Sequence, residues 1–265
     1  MNLSISNIAW LEQDDEKIYG LMKKFGYTGL EIAPTRIIAD SPYDNIASAV
    51  EKTDSIKKEY GFCIPSMQSI WYGKTEKIFG TEEERKSLIE YTKKAIDWAQ
   101  AIGCRNLVFG CPRNRSIPEG GLEITGINFF REIGNYAANH SCVIGMEANP
   151  PIYNTNYIND TSKAFELIKE VDSKGFLLNL DVGTMIANEE DIGLIEENAE
   201  LISHVHISEP GLVAIQNRQL HRELLQMLAD KKYTGFVSIE MGNSNGLSEV
   251  SKAMEYIAHI AGECR

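Results

Sequence analysis

The chain has 265 residues, 43% of them apolar, and a formal net charge of −12. That composition supports a large core, while the acidic balance and the lack of a basic, aromatic-interleaved run weigh against a nucleic-acid partner, which needs Lys and Arg near phosphates. The start, MNLSISNIAWLEQDDEK, has no signal-peptide pattern, no stretch approaches the ~18 apolar residues of a membrane span, and five cysteines without a CxxC read as reduced thiols, so a cytoplasmic protein with no membrane partner is expected.

Short β-rich runs alternate with longer amphipathic ones. LSISNIA (3–9) is the first strand candidate and GLEIA (29–33) the second, followed by FCIPSMQS (62–69). The next segment, 81–102, predicts a helix: Thr81 and Glu84 form a capping box, and Leu88, Tyr91, Ala95, Ile96, Trp98 and Ala99 recur at spacings of three and four. Strand candidates RNLVFG (105–110), CVIGME (142–147), FLLNLD (176–181), ISHVHIS (202–208) and GFVSIEM (235–241) complete a set of eight, and SEVSKAMEYIAHIAG supplies the last helix. Gly26, Gly61, Gly103 and Gly175 stand where helix C-caps are expected. No Pro/Ser-rich linker divides residues 1–265. Eight β-then-α units in this length predict a single-domain (β/α)8 TIM barrel, typically ~250 residues. The competing doubly wound sheet often carries a glycine-rich loop after its first strand, but NIAWLEQ contains no glycine.

Barrel active sites lie at the C-terminal ends of the strands. The last four candidates end inward on Glu147, Asp181, His206 and Glu240, with Gly145, Asn179, His204 and Ser238 on the same interior face. A lone Glu or Asp at a strand end is more often a helix N-cap or a surface charge, and His206 alone also reads as a satisfied core histidine. Four in register on adjacent strands point to one site. Three carboxylates so close would raise one another's pKa, and a divalent cation removes that conflict. The oxygen-rich set with one imidazole suits one Mn²⁺, with Mg²⁺, Co²⁺ and catalytic Zn²⁺ also compatible. His204, one layer deeper, is expected to support the site or to pack.

These residues resemble the metal site of the xylose isomerase-like TIM barrels, and within them the sugar phosphate isomerase/epimerase group that includes the ketose 3-epimerases. The resemblance runs along the whole chain through SISNIAW, EIAPTR, SMQSIWYG, LVFGCPRNR, MEANPP, HVHISEP and VSIEM. It implies a metal held by Glu147, Asp181, His206 and Glu240 on two adjacent oxygens of a small carbohydrate substrate. It also implies that Glu147 and Glu240 move a proton on opposite faces of the carbon between those oxygens, through a cis-enediolate. A carbon acid beside a carbonyl needs a positioned base and a metal to stabilise the developing oxyanion, and inverting a stereocentre needs two proton carriers on opposite faces. Thr184 stands where many relatives place a second histidine, and Leu212 where the ketose epimerases carry an arginine. Abasic-DNA endonucleases of this superfamily need more histidines than the five present.

Other candidates surround this quartet. Trp10 and Trp71 follow strands one and three and are expected at the mouth, against sugar C–H groups or as a lid. Arg113 and Arg115 follow strand four and suit an oxyanion clamp or a solvated loop. Arg36 carries the same reading more weakly. Thr184 and Glu209 are candidate substrate contacts, with Glu209 also placed to support the ligand histidine. His221 is expected at the surface, and Cys111 has no histidine placed to activate it. The chemistry implied is an isomerase or epimerase of a small ketose, its phosphate or a related polyol. The alternatives are a dehydratase or lyase on a keto-inositol or sugar acid, and a non-catalytic sugar-binding barrel. A homo-oligomer is compatible with the sequence.

Overall fold

A computed structural model describes residues 1–264. Eight parallel strands form the sheet: β1 (Asn2–Ser6), β2 (Gly29–Glu31), β3 (Ser66–Met67), β4 (Asn106–Phe109), β5 (Val143–Met146), β6 (Phe176–Asp181), β7 (Ile202–Ile207) and β8 (Phe236–Ile239). Their hydrogen-bonded order is β2-β1-β8-β7-β6-β5-β4-β3, and bridges Gly29↔Cys63 and Ile32↔Met67 close the ring between β2 and β3. At least one helix follows each strand, and the longest are Ile46–Tyr60, Glu82–Ile102, Glu123–Asn139 and Leu247–Glu263. This is the (β/α)8 TIM barrel that the alternation predicts, and each of the eight strand candidates overlaps a strand.

Local chemistry explains where the helices begin and end. The backbone N–H of Glu84 donates to Thr81 Oγ1 at 3.2 Å, and that of Thr81 donates to Glu84 Oε2 at 2.8 Å, completing the expected capping box. Gly26, Gly61 and Gly103 cap their helices with φ of 78°, 81° and 76°, a conformation that glycine adopts without strain.

Gly175 does something else. The helix before it, Thr161–Val171, is capped by Asp172. A Cβ on Gly175 would collide with the carbonyl oxygen of Gly134 and the amide nitrogen of Ala138. The residue is small because the helix Glu123–Asn139 crosses the start of β6 at backbone contact. Backbone cannot move aside as a flexible side chain can. Gly175→Ala should therefore cost about 1–3 kcal/mol of stability, read as a lowered midpoint in urea unfolding.

Register carries the interior pattern to the C-terminal rim. Asn179 pairs with His204, Asp181 with His206, and His206 with Ser238, so these side chains share one face. The outward-facing Leu178, Leu180, Val205, Ile207, Val237 and Ile239 are buried under the helices. His221 differs from its expected surface position. It is fully buried, because it shares the inward stripe of the helix Gln219–Asp230 with Leu224, Leu225 and Leu228. Among the described residues no helix is long and apolar enough to cross a membrane, and all five cysteines are free.

Candidate functional site

Glu147 and Glu240 are the first residues beyond β5 and β8, Asp181 is the last of β6, and His206 is the last interior-facing residue of β7. His206 is fully buried against Glu147, Asp181 and Glu240, which line a cavity of about 200 Å³. Gln68, Ser69, Val108, Cys111, Asn149, Tyr153, Ser208 and Leu212 also line it. One ligand atom each from Glu147, Asp181 and His206 lies within 4.8 Å of the others, a separation that could hold a metal ion. Nδ1 of His206 is 3.3 Å from Glu240 Oε2 and 3.8 Å from Glu147 Oε2.

Each carboxylate is oriented by a neighbour. Glu147 Oε1 accepts from Asn149 Nδ2 at 3.2 Å, and Glu240 Oε1 accepts from Gln68 Nε2 at 3.1 Å. Asp181 Oδ2 accepts the Ser208 hydroxyl at 2.6 Å, while its Oδ1 accepts the Thr184 backbone N–H at 2.6 Å and caps the helix Val182–Asn188. These anchors restrict the side chains before any ligand arrives, which lowers the ordering cost of binding.

The electrostatics point toward a cation. Burial, then the charges of Asp181 and Glu240, pushes the Glu147 carboxyl well above the ordinary range. Burial and then Glu240 raise Asp181, against the hydrogen bonds it accepts. Burial disfavours a charged His206, but Glu31 and Glu240 outweigh it and raise the imidazole well above its usual value. The side chain's Nδ1 is buried and makes no hydrogen bond. A divalent cation bound by these oxygens and by Nδ1 would relieve the carboxylate repulsion and occupy the bare nitrogen, so the donor set fits one.

Glu31 is the residue that the sequence reading missed. It is the last residue of β2, fully buried, and its Oε2 lies 3.0 Å from His206 Nε2 in a hydrogen bond. His204 Nε2 is 2.9 Å from the same oxygen but off the line of a hydrogen bond, so its contribution is a close polar contact. Burial alone would raise Glu31, but the two imidazoles outweigh it and hold the carboxyl well below the ordinary range. Burial lowers His204. The cue was present in GLEIA, where Leu30 and Ile32 point outward and alternation sends Glu31 inward.

Several expected substrate contacts lie elsewhere. Trp10 is buried in the wall, its indole N–H donating to Asp15 Oδ1 at 2.6 Å, and Trp71 donates to Thr92 Oγ1 at 2.9 Å within an aromatic cluster that includes Phe109 and Phe129. Neither lines the cavity. The bulk of an indole favours burial once the adjoining helix offers a hydroxyl or carboxylate to its N–H. Arg115 is fully buried and donates to the Glu147 carbonyl at 2.8 Å, Asn149 Oδ1 at 3.0 Å and the Ile158 carbonyl at 3.2 Å. Its chain turns inward after Cys111, which has φ 45°. Arg113 is exposed and absent from the lining.

Arg36 bonds Asp15 at 2.7 Å and the backbone of Asn7 and Trp10. The Thr184 hydroxyl donates to the Ala148 carbonyl at 2.7 Å. Glu209, also buried, accepts from Arg218 at 2.6 and 2.7 Å and from the Gln216 N–H at 3.0 Å, tying down the loop after β7. Cys111 does line the cavity, but burial pushes its thiol up to about 12, which leaves it a poor nucleophile.

Solved structures share this architecture. A 3-keto-D-glucoside 4-epimerase from E. coli superposes with a TM-score of 0.78 at 18% identity, over 99% of each chain. A D-psicose 3-epimerase from Clostridium cellulolyticum H10, solved with D-tagatose, gives 0.77 at 16% identity over 100% of this chain and 99% of its own. A family 2 AP endonuclease from Brucella melitensis gives 0.73 at 20% identity over 96% and 97%. At such identities the likeness establishes the fold alone. No curated protein matches the sequence. A family model described as xylose isomerase-like TIM barrel matches residues 20–260, nearly the whole barrel, and the chain belongs to that family.

Proposed function

We propose that the protein is a metal-dependent isomerase or epimerase acting on a small, uncharged ketose or related polyol. The observation that carries this reading is a cavity lined by Glu147, Asp181 and Glu240, with His206 Nδ1 buried against these carboxylates and no Lys or Arg among the lining residues. Glu147, Asp181, His206 and Glu240 would hold the ion. Mn²⁺ suits this oxygen-rich set best, with Mg²⁺, Co²⁺ and Zn²⁺ as alternatives. Such an ion, when bound, polarises a carbonyl and lowers the barrier to removing the neighbouring proton.

The protein's own groups do the proton work. Glu147 and Glu240 enter the cavity from β5 and β8, with β6 and β7 between them. That separation suits two proton carriers on different faces of one carbon, one removing the proton and the other returning it. Asn149 and Gln68 each hold one oxygen of these carboxylates. A cavity of about 200 Å³ lies below the ~300 Å³ lower bound of drug-sized sites, which favours a monosaccharide-sized ligand. Three carboxylates would repel a phosphate or sugar acid, and neither Arg113 nor Arg115 is placed to offset them. The epimerase activities named for structural neighbours with free-sugar or glycoside substrates agree with this choice.

The test is incubation with Mn²⁺ and a panel of ketoses, their phosphates and keto-inositols in D₂O. The expected result is an epimer or isomer carrying one deuterium, with free ketoses preferred over phosphates. Loss of water from the product would favour a dehydratase or lyase instead. Binding without any exchange would favour a sugar-binding barrel.

A further inference from the structure

We propose that Glu31 is a positioning residue: it fixes the ring of His206 by accepting Nε2–H, so that Nδ1 alone is presented to the metal. The proposal rests on the reading of His206 as a metal ligand and adds a group from a strand that does not neighbour β7. In the closed ring, β2 and β7 are separated by β1 and β8. The Glu31 side chain nevertheless crosses the interior to reach a histidine 175 residues away in sequence.

The geometry at Glu31 is one-sided. Its Oε2 meets His206 Nε2 at 3.0 Å, while Oε1 is buried without a partner. A residue retained only to tie strands together would be expected to satisfy both oxygens, or to be replaced by an apolar group that avoids the cost of burying a carboxylate. The bond that is made controls the ring. An imidazole that donates from Nε2 leaves Nδ1 as the basic nitrogen, and a hydrogen bond on one ring nitrogen sets which of the two binds a metal. Nδ1 is the atom facing Glu240 Oε2 at 3.3 Å and Glu147 Oε2 at 3.8 Å.

His204 completes the arrangement. Its ring stands edge-on to His206, with centroids 5.4 Å apart and planes at 85°, and its Nε2 approaches the same Glu31 oxygen at 2.9 Å. It walls in the Glu31 carboxylate from the layer below. The same Glu31 oxygen is thereby approached by both imidazoles.

Two measurements test this. Titration calorimetry with Mn²⁺ should give one site in the wild type, and about 10–100-fold weaker binding in Glu31→Gln, the range typical of lost partners to a ligand histidine. Imidazole ¹⁵N spectra of the Zn²⁺-loaded wild type should show His206 coordinated through Nδ1, with a proton retained on Nε2. Unchanged Mn²⁺ affinity in a folded Glu31→Gln variant would overturn the proposal, as would coordination through Nε2. Two Mn²⁺ in the wild type and one in the variant would also overturn it, since Glu31 would then be a ligand. If the variant does not fold, the wild-type spectrum decides alone. Absence of Mn²⁺ binding by the wild type would instead refute the metal reading itself, so the two failures are distinguishable.

Discussion

Glu147→Gln and Glu240→Gln are each expected to lower kcat by about 10²–10⁴-fold, the usual contribution of a positioned acid or base. Glutamine keeps the shape of the side chain, and its amide oxygen can still accept from Asn149 Nδ2 at position 147 or from Gln68 Nε2 at position 240. The fold should therefore survive, and near-UV circular dichroism checks that it does. What is lost is the ability to carry a proton, together with one anionic donor for the metal. The two losses separate by raising the metal concentration. Weakened binding is restored by excess Mn²⁺, whereas the missing proton carrier is not.

The pair should also differ from each other. If each carboxylate serves one face of the carbon, each variant blocks deuterium entry from one side only. Starting from each epimer in turn, exchange should persist in one direction and vanish in the other, with opposite patterns in the two variants. In epimerisation kcat the double variant should be little worse than either single one, because groups that act as a unit are not additive, whereas its exchange should vanish from both epimers. Retention of more than about a tenth of wild-type kcat by either variant, at saturating Mn²⁺, would remove that residue from the proton-transfer role.

Period-two alternation and strand-end position made the barrel and the four converging side chains legible. Glu147, Asp181, His206 and Glu240 needed only an inward face and a rim height, and both follow from where the strands stop. The same rule, carried back to β2, would have found Glu31. Loop residues were harder to place, because the position of Arg115 depends on a left-handed turn at Cys111 that no spacing reports. Trp10 and Trp71 show the other limit. A large aromatic after a strand can cover the mouth or pack beneath it, and here the buried partners Asp15 and Thr92 decide. Gln68 and Ser208 enter the site as partners of Glu240 and Asp181, which the sequence did identify, and Ser69 enters behind them by donating to Gln68.

Arg115→Met is expected to destabilise the protein by about 3–5 kcal/mol, because several buried acceptors lose a charged donor at once. Methionine roughly matches the length of the side chain but donates nothing. The Glu147 and Ile158 carbonyls and Asn149 Oδ1 would each lose a partner in a region closed to water. Burial lowers the Arg115 pKa to about 10, with Glu147 opposing the shift, so the guanidinium remains charged at neutral pH and its loss also removes a cation behind the Glu147 carboxylate. Chemical unfolding of the metal-free protein measures the stability term.

Activity measures the second consequence. Asn149 is held by Arg115 and in turn holds Glu147 Oε1, so kcat should fall along with stability. A substrate clamp would behave in the opposite manner, raising KM for anionic substrates while leaving the unfolding midpoint unchanged. Arg113→Ala supplies the internal control. That side chain is exposed, and its loss should change stability by no more than about 0.5 kcal/mol. Equal, small effects at both positions would mean that the buried network contributes little and that the Glu147 loop is held by its backbone alone. A large loss confined to Arg115 would show that one arginine after β4 is part of the scaffold that aims the Glu147 carboxylate.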